Sequence, residues 1–196
     1  MISYRTTETR ESVNYSADHA SSIIRGVKIC CYGEEKLHGS KPYSVVNVSR
    51  AHPIRLTYGE GTISPISKLL GMPLKLWKYP DIDNWINPPG WTENMTADSN
   101  PNVAFLMMKT DPNDPDWGWA PLYWNTDLGN VLAVRTDDKD LVINDIRMIC
   151  YFARWKLQPL FEDAMGAGTI QRTKQEVLDF ATWENMVAFA NKAAQD

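Results

Sequence analysis

Up to residue 135 the apolar residues fall in short runs separated by turn-forming residues, and from residue 144 onward they recur at helical spacing. Ile23 to Tyr32, with Ile24, Val27, Ile29 and the cysteines, predicts a first strand. Tyr43 to Val48, rich in β-branched residues, predicts a second. Ser64 can cap a short helix over Pro65–Leu70, with proline at the favoured first position and Gly71 as the stop. Leu74 to Trp77 alternates as a strand does. Val103 to Met108 is almost continuously apolar, lies between Pro101 and Asp111-Pro112, and predicts a strand buried on both faces. Asn130 to Arg135 predicts another central strand, closed by the charged turn from Thr136 to Lys139.

The C-terminal third predicts helices. Ile146, Ile149, Cys150, Ala153, Leu157, Leu160 and Phe161 form one apolar stripe, with Asn144 as its cap and Pro159 as the site of a kink. Thr173 to Glu176 is a capping box, and two shorter helices follow, Lys174–Ala181 and Trp183–Ala193. Strands first and helices last argue for an α+β fold: a mostly antiparallel sheet of about five strands, with the C-terminal helices on one face. Residues 1–20 lack a periodic apolar signal and are expected to form a flexible polar leader to a single domain over 21–196.

Two long connections interrupt this scheme, at residues 80–102 and 111–127, and both are dense in tryptophan and proline. Connections of such length are uncommon unless they cover a binding site or are disordered, and large aromatics argue against disorder. Six of the eight tryptophans lie between residues 77 and 124. As a cluster these indoles read first as anchors for long loops, and some of them as walls of an apolar pocket where the loops converge at one end of the sheet.

Composition narrows the chemistry. The chain has 196 residues, 43% of them apolar, and a formal net charge of −4. With no basic stripe, the electrostatic term that nucleic-acid binding needs has no source. No apolar run is long enough to span a bilayer, and the first residues lack the apolar core of a signal peptide. Three cysteines, two of them adjacent (Cys30 and Cys31), make no disulfide framework and point to a reduced cytosolic setting, with the pair read as buried small hydrophobes. The three histidines are scattered, so no metal site is expected. Asp111 to Asp116 has the look of a calcium loop but puts Pro115 and Asp116 where the register needs a ligand and a glycine, and Asx-Pro turns explain it better. No nucleotide-binding or nucleophile motif is present, and no cofactor is expected.

The candidate polar groups are His52, held extended by Pro53, and Arg135 at the end of a strand, with Arg154, Glu162, Tyr58 and Tyr123 as further donors or acceptors. Each also has a structural role open to it, as an ion pair, a half-buried histidine or a solvated helix face. His52 and Arg135 are the catalytic candidates; Trp77, Trp117, Trp119, Tyr123 and Trp124 are the candidates for binding an apolar substrate. The expected activity is a cofactor-independent isomerase or cyclase that holds a reactive conformer and polarises a carbonyl. The alternatives are a metabolite-binding domain and a protein-interaction domain with an exposed aromatic patch.

Several stretches together resemble a group of fungal proteins in which such a domain accompanies a MYND-type zinc finger. They are His52-Pro53-Ile54, Gly61 to Ser67, Leu70 to Leu74, Trp117 to Pro121, Gly129 to Arg135 and Gln158 to Asp163, so that the resemblance covers about residues 45–190. It brings no catalytic residues with it. The Cys/His array of the finger is missing here, so the finger's partner-binding role does not carry over. Small stand-alone fungal proteins of this size include biosynthetic-cluster enzymes such as cofactor-free cyclases of the sordaricin Diels–Alderase type, an analogy of context that places the expected substrate in fungal secondary metabolism.

Overall fold

The computed structural model describes residues 23–31, 41–49, 61–78, 100–121, 129–166, 168 and 170–193. Five strands form one antiparallel sheet: β1 (Ile23–Ile29), β2 (Tyr43–Ser49), β3 (Thr62–Ile63), β4 (Leu74–Lys78) and β5 (Val131–Arg135), in the order β2-β1-β5-β4-β3. β1 and β2 pair over all seven residues, from Ile23 opposite Ser49 to Ile29 opposite Tyr43. β5 is central, with Ala133 opposite Val27 on one side and opposite Leu76 on the other. The α+β class and the antiparallel sheet are as the pattern predicts. The two-residue strand β3 is an addition, too short to carry an alternation of its own.

Helices cover one face. Val27, Ile29, Tyr43, Leu74, Leu76, Val131 and Ala133 point into a core with Ile146, Ile149, Phe152, Leu157 and Phe161. The helical layer consists of α1 (Pro65–Leu69), α2 (Pro101–Leu106), α3 (Ile143–Phe152), α4 (Gln158–Ala164), α5 (Lys174–Phe180) and α6 (Trp183–Ala193). α1 begins as its sequence predicts: the Ser64 hydroxyl accepts from Ser67 N at 3.2 Å and Pro65 opens the helix. The same hydroxyl donates to Leu106 O at 2.6 Å, and Ser67 Oγ accepts from Leu74 N at 3.0 Å. Two buried serines thus tie α1 to both α2 and β4.

The segment from Val103 to Met108, expected as a strand, is instead most of helix α2 and the turn that ends it. A short apolar run does not distinguish a buried strand from a buried helix. Pro101 sits in the first helical turn, where its missing N–H costs nothing, and Val103, Leu106, Met107 and Met108 pack into the core beneath the sheet. The expected kink at Pro159 takes a different form. Between α3 and α4 the chain forms a π-helical turn, Ala153–Leu157, and Gln158 N donates to Ala153 O, five residues back. Pro159, which has no N–H and would crowd the carbonyl four residues before it, falls in the first turn of α4. The cap of α3 also differs. Val142 precedes the helix, and the Asp145 carboxylate accepts from Val142 N at 3.4 Å, so Asn144 lies inside the first turn. The leader of residues 1–20 lies outside the described residues, as does most of the 80–102 connection.

Candidate functional site

The second face of the sheet is the unusual one. A two-layer α+β fold ordinarily leaves the face away from its helices polar and hydrated. Paired residues on neighbouring strands share a face, so the register places Ile24 beside Val48, Gly26 beside Val46, Leu132 beside Trp77 and Val134 beside Lys75. Ile24, Val48, Leu132 and Val134 are buried there as a second apolar cluster, with Val46 and Trp77 packed against it. Leu132, at the centre, is 0% exposed.

Two glycines shape this face. A Cβ on Gly26 would lie 2.9 Å from Ala133 O and 3.1 Å from side-chain carbons of Leu132 and Val134, so glycine lets those side chains settle over β1. At Gly61 a Cβ would lie 2.6 Å from Trp77 Nε1, and φ is +72°, a conformation that suits glycine. The Trp77 indole therefore lies directly against the backbone leading into β3.

Lys75 stands at the rim of this surface. Its Nζ lies 5.4 Å from the centre of the Trp77 ring, within cation–π range, and it has no carboxylate partner among the described residues. Lys75 is not among the site residues expected from the sequence, although a signal for it exists. Within Leu74-Lys75-Leu76-Trp77 the period of two puts Lys75 and Trp77 on one face and the two leucines on the other.

The other sequence candidates are distributed differently. Trp117 is fully buried on the helical side, edge-on to Phe161 with ring centroids 4.3 Å apart. Trp119, two residues on, is 54% exposed. Arg135 is opposite Leu74 and so belongs to the helical face, not to the face that carries Trp77. His52, Tyr123 and Trp124 lie outside the described residues. Trp77, Trp117, Trp119 and Arg135 therefore do not form one wall.

Arg135 has a partner of its own. Its Nε donates to Asp137 Oδ1 at 2.8 Å and one terminal nitrogen to Asp137 Oδ2 at 2.6 Å, a two-pronged pair across the turn after β5. Asp138, next in the turn, has φ of 58°. The Arg135 hydrogen bonds hold the Asp137 carboxyl well below the usual carboxylate range. Since the folded value is lowered, the stabilisation is complete above the unfolded value of about 3.9 and fades as pH falls toward the folded one. Asp137→Asn should thus lower the melting temperature at neutral pH, with the gap to wild type narrowing in acid. A gap that stays constant from neutral pH down to about 2.5 would remove Asp137 from this role. Asp145, in the first turn of α3, shifts the opposite way because burial disfavours its charge.

Buried amides lock one end of the sheet. Asn100 Nδ2 donates to Ile29 O at 3.2 Å and to Gly129 O at 3.1 Å, and Asn130 Oδ1 accepts from Cys31 N at 2.9 Å. Asn100 and Gly129 stand at the close of the two tryptophan-bearing connections, so the chain returns from both to this same end. Cys30, Cys31 and Cys150 are buried free thiols. Burial pushes the Cys150 thiol up to about 12, and its Sγ donates to Asn102 O at 3.3 Å, so it stays protonated and unreactive at neutral pH.

In the Asp111–Asp116 turn the carboxylates have protein partners. Asp111 Oδ1 accepts from Asn113 N at 2.9 Å and Asp114 Oδ1 from Asp116 N at 2.9 Å, while Lys109 Nζ pairs with Asp114 and Asp116 at 3.1 Å each. These are Asx turns neutralised by a lysine. Among the described residues no group of three or more His, Cys, Asp or Glu side chains is arranged to hold a metal, and no helix is long and apolar enough to cross a membrane. Compared with protein-family models, curated proteins and solved structures, the chain matches none.

Proposed function

We propose that the protein seats an apolar small molecule bearing a carbonyl or carboxylate against the second face of its sheet. The observation that supports this reading is the apolar, aromatic-edged character of a face that a two-layer fold leaves to water, with Lys75, which has no carboxylate partner among the described residues, at its rim. Trp77 and Val46, both half-buried, supply apolar contact beside the buried Leu132, Val134 and Ile24, and Lys75 and Lys28 are the basic groups that the register places on this face. Sites for small molecules share this composition, mostly apolar with a few polar groups that set orientation.

In its catalytic form the proposal is a cofactor-independent isomerase or cyclase. Such an enzyme needs only to hold a reactive conformer, and positioning contributes about 7–11 kcal/mol in well-oriented intramolecular reactions. A hydrogen bond from Lys75 Nζ to a conjugated carbonyl would add stabilisation as negative charge builds on that oxygen. A substrate from secondary metabolism, as the fungal resemblance implies, fits a face of this kind.

Incubation with linear and polycyclic polyene carbonyl compounds, followed by NMR, tests turnover; isomerisation leaves the mass unchanged. Equal product from heat-inactivated protein would defeat the catalytic form. Calorimetric titration of the same compounds tests the site itself. Trp77→Ala and Lys75→Met should each weaken binding about tenfold, roughly 1.4 kcal/mol. Affinities unchanged in both variants would defeat the assignment of the face.

A further inference from the structure

We propose that the outer surface of the π-helical turn is a docking site for an acidic peptide with a large apolar side chain. Trp155, in the middle of that turn, is 56% exposed. The Arg154 guanidinium lies 4.9 Å from the Trp155 ring and 5.9 Å from the Phe105 ring of α2. Tyr151, one turn earlier, sits 6.5 Å from Trp155 between ring centroids and is itself stacked on Phe189 of α6 at 5.4 Å. The indole is thus water-exposed beside the Tyr151 ring, which is itself held by stacking on α6.

The charge around it runs against the rest of the chain. Arg147, Arg154 and Lys156 have no carboxylate within ion-pairing distance among the described residues, although the chain as a whole carries −4. Each lies over an aromatic ring instead: Arg147 over Tyr43 at 5.6 Å, Lys156 over Phe180 at 5.7 Å and Arg154 as above. Glu162, the carboxylate nearest along the helix, accepts a hydrogen bond from Gln158 at 3.0 Å. At the turn, Arg154 therefore presents positive charge beside an open indole.

The way the cations are held selects the partner. A long basic side chain ordinarily loses rotamer freedom when it captures an anion. One already resting on a ring loses less, and its planar fork is presented in a fixed direction. Fixed donors suit carboxylates fixed in a peptide. A fluid anionic membrane surface asks instead for a broad apolar helix face inserted below the headgroups, whereas the exposed aromatic here is a single indole. The π turn itself is explained by Pro159, and its functional consequence is that Arg154 and Trp155 sit exposed side by side.

Fluorescence anisotropy with a labelled peptide of alternating Asp and Glu around a central Leu-Phe pair tests the proposal. The full chain should bind it at least about tenfold more tightly than the same peptide with Asn and Gln in place of the acids, and added salt should weaken it. Arg154→Glu and Trp155→Ala should each cost about fivefold or more, as truncation of an aromatic or arginine anchor does. Both side chains are exposed, so circular dichroism should show both variants folded; Arg154→Gln repeats the charge test if Arg154→Glu does not fold. Equal binding of the acidic and amide peptides would overturn the proposal, as would unchanged affinity in the folded variants. Co-sedimentation with phosphatidylserine-containing vesicles in the absence of peptide binding would overturn it in favour of a membrane surface.

Discussion

Trp117→Ala is expected to destabilise the protein by about 3–5 kcal/mol, the range for deleting a large buried aromatic. Trp117 is fully buried, meets Phe161 edge to face with rings 77° apart, and has Lys174 Nζ 5.3 Å from its ring centre. It also closes a turn-rich segment whose ends are pinned by Lys109 N to Trp119 O at 3.0 Å and Gly118 N to Lys109 O at 2.8 Å. Lys174 Nζ reaches Pro112 O at 2.8 Å and fastens the same segment to α5. Loss of the indole leaves a cavity where this segment meets α4, and the backbone pins limit how far the walls can close.

The substitution series separates packing from polarity. The Trp117 indole N–H is buried with no hydrogen-bond partner among the described residues. An unmade bond of this kind costs about 1–3 kcal/mol, so Trp117→Phe should recover part of what the smaller ring loses and cost much less than Trp117→Ala. Trp119→Ala, at an exposed position, should stay within about 0.5 kcal/mol of wild type. Urea midpoints at constant m-value measure all three. A Trp119→Ala loss as large as that of Trp117→Ala would show that the two indoles had been assigned the wrong places.

Much of this architecture is legible in the sequence, and the failures have physical causes. Strands β1, β2 and β5 follow from runs rich in β-branched residues and β4 from the alternation of Leu74 to Trp77, because periodicity and turn chemistry agree there. The capping box at Thr173 and Glu176 reads directly into structure: Glu176 N donates to Thr173 Oγ1 at 3.2 Å and Thr173 N to the Glu176 carboxylate at 2.7 Å. Val103 to Met108 misleads because every side chain in it is apolar, including the half-buried Ala104 and Phe105, and a run without polar positions carries no period to separate helix from strand. The π turn is hidden because a proline in a helical pattern signals disruption without saying what form it takes.

The candidate site is less legible than the fold. Tryptophan density marks residues 77 to 124 as unusual, but density carries no direction. Trp77, Trp117 and Trp119 all fall in this stretch, yet one edges the second sheet face, one fills the helical core and one meets solvent. Only pairing assigns a face: Trp77 opposite Leu132 and Arg135 opposite Leu74 put one candidate indole and the candidate catalytic arginine on opposite sides of one sheet. The strand periodicity that names Lys75 is in the sequence. Its importance emerges once Leu132 and Val134 prove to be buried on the side away from the helices.

Leu132→Asp is expected to abolish folding, and it tests whether the second face is an interior surface. Leu132 is fully buried at the centre of β5, with Lys28 and Trp77 as its cross-strand neighbours and the backbone of Gly26 beneath it. Removing a buried leucine side chain costs about 2–5 kcal/mol, and an unpaired buried carboxylate adds several more. Together these rival the roughly 5–15 kcal/mol that stabilises a natural domain. The NMR spectrum should collapse into the narrow dispersion of an unfolded chain, while Leu132→Ala should remain folded with a measurable loss of about 2–5 kcal/mol. Val46→Glu supplies the contrast. Val46 is half-buried on edge strand β2, opposite Gly26, where a longer side chain can turn its carboxylate to water. That variant should fold and yet bind apolar ligands poorly, since it brings charge to the border of the proposed seat. A folded Leu132→Asp with native dispersion would mean that the second face is open to solvent, and the ligand seat would then have to be sought elsewhere.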